Sequence, residues 1–341
     1  MRRTLKRPPT SSDVAERAGV SRATVSYVLN GLTDSRISDE TRKQVQAAAD
    51  ALGYTPHAMA RSLRAGSTNT VLIPRSHYPL GKVMTQFHED IANKLLALGY
   101  TPLVHLDANI RDMDAARTWA SLRPAGLLVL AERVSAQSIR LLRKAGISGI
   151  VLIGNTPSPL AATLLIDHSD LGACAAEYLV AQGYRQLIGI VPHEPNLHWL
   201  GQERFRGVQR VAAAHQTESR ALEMAFDEAD SARAAAQIKQ RCKAKAKAPI
   251  GIVAFNDEYA ILLMHALQDA GLRVPDDVGI VGIDNLDIGR LVRPSLTSVL
   301  ANTQQPIEDF VKFMDGLIKG ELPGKPVMRL FNPSVMTRQS A

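Results

Sequence analysis

Between residues 193 and 198 the order His193-Glu194-Pro195-Asn196-Leu197-His198 brings two imidazoles and a carboxylate together, the ingredients of a zinc-activated water. A helix presents two zinc-binding histidines on one face when they stand four residues apart. Here they stand five apart and Pro195 breaks the helical reading, so this chemistry is set aside. Other catalytic apparatus is missing as well. There is no G-x-x-x-x-G-K-[ST] phosphate loop, no G-x-G-x-x-G after a strand and no G-x-S-x-G nucleophile elbow. Cys174 and Cys242 are too few for a cysteine zinc site or a disulfide scaffold, which suits a reducing cytoplasm. Neither an enzyme nor a metal or cofactor is expected.

Recognition chemistry is better supplied. The chain of 341 residues carries a net charge of +7. Residues 1–66 hold 11 Lys/Arg against 6 Asp/Glu, while the other 275 residues hold 29 against 27. The basic excess sits at one end and marks a candidate polyanion binder. Within it, Arg22 has the fork that pairs with a guanine edge, Ala23 the methyl that touches thymine, and Tyr27 the reach to a base or the backbone. Thr24, Ser26 and Asn30 carry short polar groups of the kind that hold phosphates. Further along, His193, Asn256-Asp257 and Asp284-Asn285 follow apolar runs that read as strands, and Arg204 opens a helix after the first of them. Ligands of open α/β sheets collect beyond the carboxyl ends of strands. Each of these residues, taken alone, would serve equally as a helix cap or a surface charge.

These side chains need a frame. Ser11 or Ser12 is expected to cap a helix through Ala18 that Gly19 ends; Ser21 caps a second helix, Arg22 to Leu29; Ser38 caps a third, Asp39 to Leu52, ended by Gly53. Two short helices joined by a glycine turn describe a helix-turn-helix, whose second helix enters the major groove. Val14, Val20, Val25 and Val28 form its seam, and Val45, Ala48, Ala49 and Leu52 a matching stripe. A three-helix bundle used for protein contact is the alternative.

From Val71 onward, strands are predicted at Val71–Ile73, Leu103–Leu106, Gly126–Leu130, Gly149–Ile153, Leu164–Asp167, Leu187–Val191, Gly251–Phe255 and Val278–Asp284. Helices fall at Val83–Leu98, Asp112–Leu122, Ala136–Ala145, Asp170–Gln182, Gln202–His215, Ala232–Lys243, Glu258–Ala270 and Ile307–Lys319. The alternation argues for an α/β body of parallel sheets flanked by helices, and its length for two lobes. No run of about 18 apolar residues exists to span a membrane, and the N-terminus lacks the apolar stretch of a signal peptide.

The blocks Asp13-Val14-Ala15, Gly19-Val20-Ser21, Ala23-Thr24-Val25-Ser26 and Val28-Leu29-Asn30-Gly31 resemble the opening of the lactose-repressor and galactose-repressor (LacI/GalR) family of bacterial transcription factors. The likeness continues through Ile37-Ser38-Asp39-Glu40-Thr41-Arg42 and Leu52-Gly53-Tyr54-Thr55-Pro56; Tyr27 departs from it, since many members have arginine there. The resemblance implies a helix-turn-helix head over 1–56 and a hinge helix over 57–66 in which His57, Ala60 and Leu63 meet DNA, Leu63 as a minor-groove wedge. It implies an effector-binding core over 67–341 that resembles periplasmic binding proteins, with lobe one at about 70–166 plus 298–330 and lobe two at about 167–297 plus the C-terminal tail. Arg204-Phe205-Arg206-Gly207 matches its R-x-x-G element, and Asn256 and Asp284 fall on two further ligand positions; Phe226 and Trp199 are candidate aromatic contacts. The first lobe departs more: its loop is shortened around Arg75, which would favour an anionic ligand, and Gly154-Asn155 replaces an acid. The implied protein is a cytoplasmic, homodimeric repressor on a near-palindromic double-stranded DNA operator. Its implied effector is a small molecule, a carbohydrate first and a nucleobase or nucleoside corepressor second. A solute-binding protein is the rival for the body. Residues 332–341 show no leucine heptad, so no tetramerising tail is expected.

Overall fold

The computed structural model describes residue 7 and residues 9–29, 37–55, 68–75, 82–107, 109–244, 249–322 and 324–341. Asn30 and the hinge positions His57, Ala60 and Leu63 lie outside them. The chain divides into two units, Met1–Thr68 and Asn69–Ala341.

In the first unit, α1 (Ser11–Ala18), α2 (Arg22–Leu29) and α3 (Asp39–Leu52) close on Val14, Ala15, Val25, Val45, Ala48 and Ala49. The cap of α1 is Thr10, one residue ahead of the serines that sequence suggests. A capping box decides it: the Asp13 N–H donates to Thr10 Oγ1, and the Thr10 N–H donates back to the Asp13 carboxylate at 2.7 Å. Ser21 and Ser38 cap α2 and α3 through the N–H groups of Thr24 and Thr41.

In the second unit, β1 (Thr70–Pro74), β2 (Thr101–His105), β3 (Gly126–Leu130), β4 (Gly149–Gly154), β5 (Ala162–Leu165) and β11 (Val327–Arg329) form a parallel sheet in the order β11-β5-β4-β3-β1-β2. The second sheet takes β6 (Gln186–Pro192), β7 (Glu218–Met224), β8 (Ile250–Val253), β9 (Val278–Ile283), β10 (Thr297–Asn302) and β12 (Asn332–Met336) in the order β12-β10-β9-β8-β6-β7. It is parallel except for the β10–β12 pair. Helices α4 (Lys82–Ala97), α5 (Asp112–Ser121), α6 (Ala136–Lys144) and α11 (Gln304–Lys319) accompany the first sheet. Helices α7 (His168–Ala181), α8 (Pro195–Ala214), α9 (Glu228–Ala244) and α10 (Asp257–Asp269) accompany the second. The chain crosses between sheets after β5, after β10 and after β11.

Three sequence expectations change. Residues 298–302 belong to the second sheet, where Thr297 pairs with Val281, so the return to lobe one comes after Asn302. Their buried hydroxyls disguise the strand, but each is satisfied: Ser298 Oγ donates to Asp257 at 2.5 Å, and Thr297 Oγ1 accepts the Arg338 N–H. Pro195 starts α8 instead of breaking it, because the first helical position has no N–H to lose. Strand β7 is absent from the prediction because it is a half-exposed sheet edge with charges at Glu218, Arg220 and Glu223. Among the described residues, no helix is long and apolar enough to cross a membrane.

Candidate nucleic-acid interface and effector site

On α2 the seam residue Val25 is buried while Arg22, Ala23 and Tyr27 are exposed. Ala23 and Tyr27 stand four residues apart, so they share a face. Thr24 differs in duty, because its hydroxyl lies 2.9 Å from Ser21 Oγ within the cap of the helix. Ser26 is half-buried. The first unit thus offers an arginine fork, a methyl and a phenol from one short helix, the set suited to a major-groove edge.

The second site begins with two glycines. A Cβ on Gly207 of α8 would lie 1.9 Å from the Ser169 carbonyl oxygen, and one on Gly172 of α7 would lie 1.9 Å from the Arg204 carbonyl oxygen. The two helices therefore touch backbone to backbone, and this contact fixes where Arg204 stands. Its guanidinium is buried, with the charged carbon 4.6 Å from the centre of the Phe255 ring. Nη1 donates to the Phe255 carbonyl, Nη2 lies 3.7 Å from Asp284 Oδ1, and Nε is buried with no hydrogen-bond partner among the described residues. Burial pulls the Arg204 pKa down in spite of Asp284, and burial pushes the Asp284 carboxyl up in spite of Arg204. The pair is loose for a buried ion pair, which normally needs close geometry and further bonds to offset desolvation. It leaves hydrogen-bonding capacity for a ligand.

Asp284 is held in an unusual conformation. Its φ is +105° and that of Asn285 is +48°, a left-handed turn that side chains enter at a cost of about 1–3 kcal/mol each. Several bonds hold the turn. Arg338 donates to Asn285 Oδ1 at 2.5 Å, the Asn285 N–H donates to Ser298 Oγ at 3.0 Å, and the Leu286 N–H donates to Asp257 Oδ2 at 2.5 Å. Asp257 is fully buried, and burial pushes its carboxyl up to about 7 against the lowering effect of its bonds to Ser298 and Leu286. Gly282 makes room for it, since a Cβ there would sit 2.1 Å from Asp257 Oδ1.

Aromatic rings continue the site. Phe255 packs on Tyr259 at 5.4 Å, and Tyr259 packs on Phe226 at 5.1 Å, whose ring is 52% exposed. Trp199, 39% exposed, stands edge-on to His168 at 6.2 Å. Arg204, Asp284 and Phe226 are thus linked by contacts through Phe255 and Tyr259, while Trp199 touches His168, whose imidazole feels the Arg204 charge. Asn256 is differently employed: its Oδ1 accepts the Tyr259 N–H at 2.9 Å and caps α10. Arg75 is exposed after β1, its backbone bonded to His105 and to Arg133 instead of to any member of the Arg204 group. His168, Tyr259 and Arg338 carry no motif, and only their position in the fold brings them to the site.

Residues 10–57 match the family model for bacterial regulatory proteins of the lacI family, and residues 176–341 match that for a periplasmic binding protein-like domain. The HTH-type transcriptional repressor PurR of Vibrio parahaemolyticus is 31% identical over 298 residues, 85% of this chain and 86% of that one. PurR of Photobacterium profundum is 29% identical over 339 residues, 97% and 98% of the two chains. The lac repressor dimer, solved with operator and an anti-inducer, matches 98% of this chain and 99% of its own with a TM-score of 0.73 at 23% identity. The chain belongs to the LacI family, and is a DNA-binding transcriptional repressor with a helix-turn-helix head and an effector-binding, periplasmic-binding-protein-like body.

Proposed function

We propose that the effector is an uncharged planar heterocycle of the nucleobase class, bound at the Arg204–Asp284 pair, and that its binding changes operator affinity. The observation that carries this is the loosely paired Arg204 and Asp284 beside the Phe255 ring, which leads through Tyr259 to the half-exposed ring of Phe226, with the half-exposed Trp199 against His168. A carboxylate that accepts and a guanidinium that donates suit a base edge, and the rings suit its faces. A polyol is the weaker fit, because the amides of the cluster are already engaged, Asn256 as a cap and Asn285 with Arg338.

Arg22, Ala23 and Tyr27 read the major groove, while Thr24, Ser26 and Asn30 set register on phosphates. His57, Ala60 and Leu63 act in the hinge. The working unit is a cytoplasmic homodimer on a near-palindromic site, since a two-fold protein asks for two-fold DNA. The β2 edge supports a self-interface: Leu103, Val104 and Leu106 are exposed on or just after it, with Leu96 and Leu98 nearby in sequence. An open apolar edge of this kind is normally covered.

Thermal denaturation of the full chain with nucleobases, sugars and sugar phosphates tests the effector class. A ligand at about 100 times its Kd stabilises the folded form by about 2.7 kcal/mol, a rise of roughly 5–10 °C for a body of this size. Shifts with sugars and none with nucleobases would overturn the assignment.

A further inference from the structure

His168 is a half-buried side chain with a buried nitrogen that the Arg204–Asp284 pair leaves unexplained. It occupies the first position of α7, where the chain crosses from the first sheet to the second. Its ring stands edge-on to Phe331 with centroids 5.4 Å apart, and Phe331 lies on another crossing, between β11 and β12. Trp199 of α8 borders it on a further side. His168 Nδ1 is buried and has no hydrogen-bond partner among the described residues, and the same holds for Arg204 Nε. Buried nitrogens in folded proteins are satisfied by some group, because leaving one unbonded forfeits its hydration for nothing. Burial, reinforced by the Arg204 charge, holds the imidazole pKa down to about 3, so the ring is neutral, with one nitrogen a donor and the other an acceptor. The backbone contact of α7 with α8, Gly172 against Arg204 and Gly207 against Ser169, brings together the helix turns that carry the two side chains.

We propose that His168 is a direct effector contact at the lobe hinge, its Nδ1 bonding an uncharged ring nitrogen, carbonyl or hydroxyl of the ligand that Arg204 and Asp284 hold. The assignment rests on the effector reading of that pair. A neutral imidazole cannot balance a phosphate or carboxylate, so it selects for an uncharged ligand. Because the ring packs between two crossings, a ligand bond to it acts directly on the segments that set the angle between the lobes.

Two substitutions separate binding from packing. His168→Phe keeps the edge contacts with Phe331 and Trp199 and removes both nitrogens; His168→Asn keeps a polar group near the place of Nδ1. The full chain is titrated calorimetrically with adenine, guanine, hypoxanthine, uracil, ribose and ribose 5-phosphate. For the probe that the wild type binds most tightly, His168→Phe is expected to bind about 10- to 100-fold more weakly and His168→Asn within about threefold. The ligand-free melting temperature of His168→Phe should equal or exceed that of the wild type, since an unbonded polar group is replaced by an apolar one. Undiminished affinity in His168→Phe overturns the assignment while leaving Arg204 and Asp284 in place. Tightest binding of ribose 5-phosphate overturns the selection for an uncharged ligand. If no probe binds the wild type, the effector reading fails and the role of His168 fails with it.

Discussion

Gly207→Ala sets two opposing effects against each other, and the sign of the result decides between them. Alanine is the best helix former and improves on glycine by about 0.8–1 kcal/mol in a helix interior. Propensity alone therefore predicts a more stable protein. Against this, the added methyl would lie 1.9 Å from the Ser169 carbonyl oxygen and 2.6 Å from the Ala173 nitrogen, both backbone atoms of α7 that no rotamer change can move. Ordinary contact needs about 3.5 Å, so the helices must part by more than an ångström. A gap of about 0.5–1 Å already forfeits a quarter to a half of each dispersion well. The two helices carry Leu171, Ala175, Phe205, Val208 and Val211, all buried. Overpacking of this kind costs about 1–3 kcal/mol, more when backbone must shift. The net expectation is a loss of roughly 1–2 kcal/mol, which lowers the melting temperature by about 2–8 °C. Effector affinity should fall as well, because Arg204 stands one turn away on the displaced helix. Thermal melts of the variant beside Gln209→Ala and Gln209→Gly, an exposed pair that measures propensity alone on the same helix, give the test. A Gly207→Ala protein as stable as the wild type would refute the backbone contact.

Asp284→Asn keeps the shape of the turn and an acceptor for Arg204 but removes the carboxylate; ligand affinity in calorimetry should drop about 10- to 100-fold while operator binding without ligand persists. Asp284→Ala is a poorer probe, since leaving Arg204 buried and unpaired costs about 3–5 kcal/mol. Arg22→Ala should cost about 1–3 kcal/mol on the preferred operator and flatten preference at one base pair, scored by binding selection from a randomised site; unchanged preference removes Arg22 from base reading. Asp257 and His168 push stability in opposite directions with pH. The Asp257 carboxyl keeps its proton to about 7 in the folded chain against an ordinary 3.8, so its stabilising contribution is full below pH 3.8 and is lost as pH rises through 7. His168 titrates at about 3 folded against 6.5 unfolded, so its contribution is present above pH 6.5 and lost as pH falls towards 3. In Asp257→Asn only the second effect remains. Stability should then rise with pH between 4 and 6.5 more steeply than in the wild type, by up to about 1.4 kcal/mol per pH unit. Superimposable pH–melting curves would show that Asp257 ionises normally.

The head was the most legible part of the chain, because its signals are local. Gly19, Ser21, Ser38 and Gly53 act within four residues of themselves, and even the one-residue error at Thr10 turned on a capping box that Asp13 spells out. Strands β3 and β4 were equally plain, since burial on both faces writes a continuous apolar run. Strands β7 and β10 were not, one because it is an edge with charges and the other because its hydroxyls find partners in Asp257 and Arg338 that lie about 40 residues away. At the site, Arg204 and Asp284 were visible as motif residues. The glycines of α7 and α8 carry a signal of their own: a glycine inside a helix forfeits propensity, so a close approach is the natural reason for it. His168 and Arg338 had no such signal. Their roles depend on Phe331, Trp199 and Asn285, which only the folded chain brings near.

In the proposed mechanism a ligand held by Arg204 and Asp284 governs the grip of the head on DNA. The most direct test is fluorescence anisotropy of the full chain on a duplex selected from a random pool, at one fixed salt concentration, with and without the saturating nucleobase. A coupling of about 1–3 kcal/mol predicts a change of about 5- to 150-fold in Kd for the selected duplex and little change for scrambled DNA. An identical Kd with and without the bound ligand would contradict it.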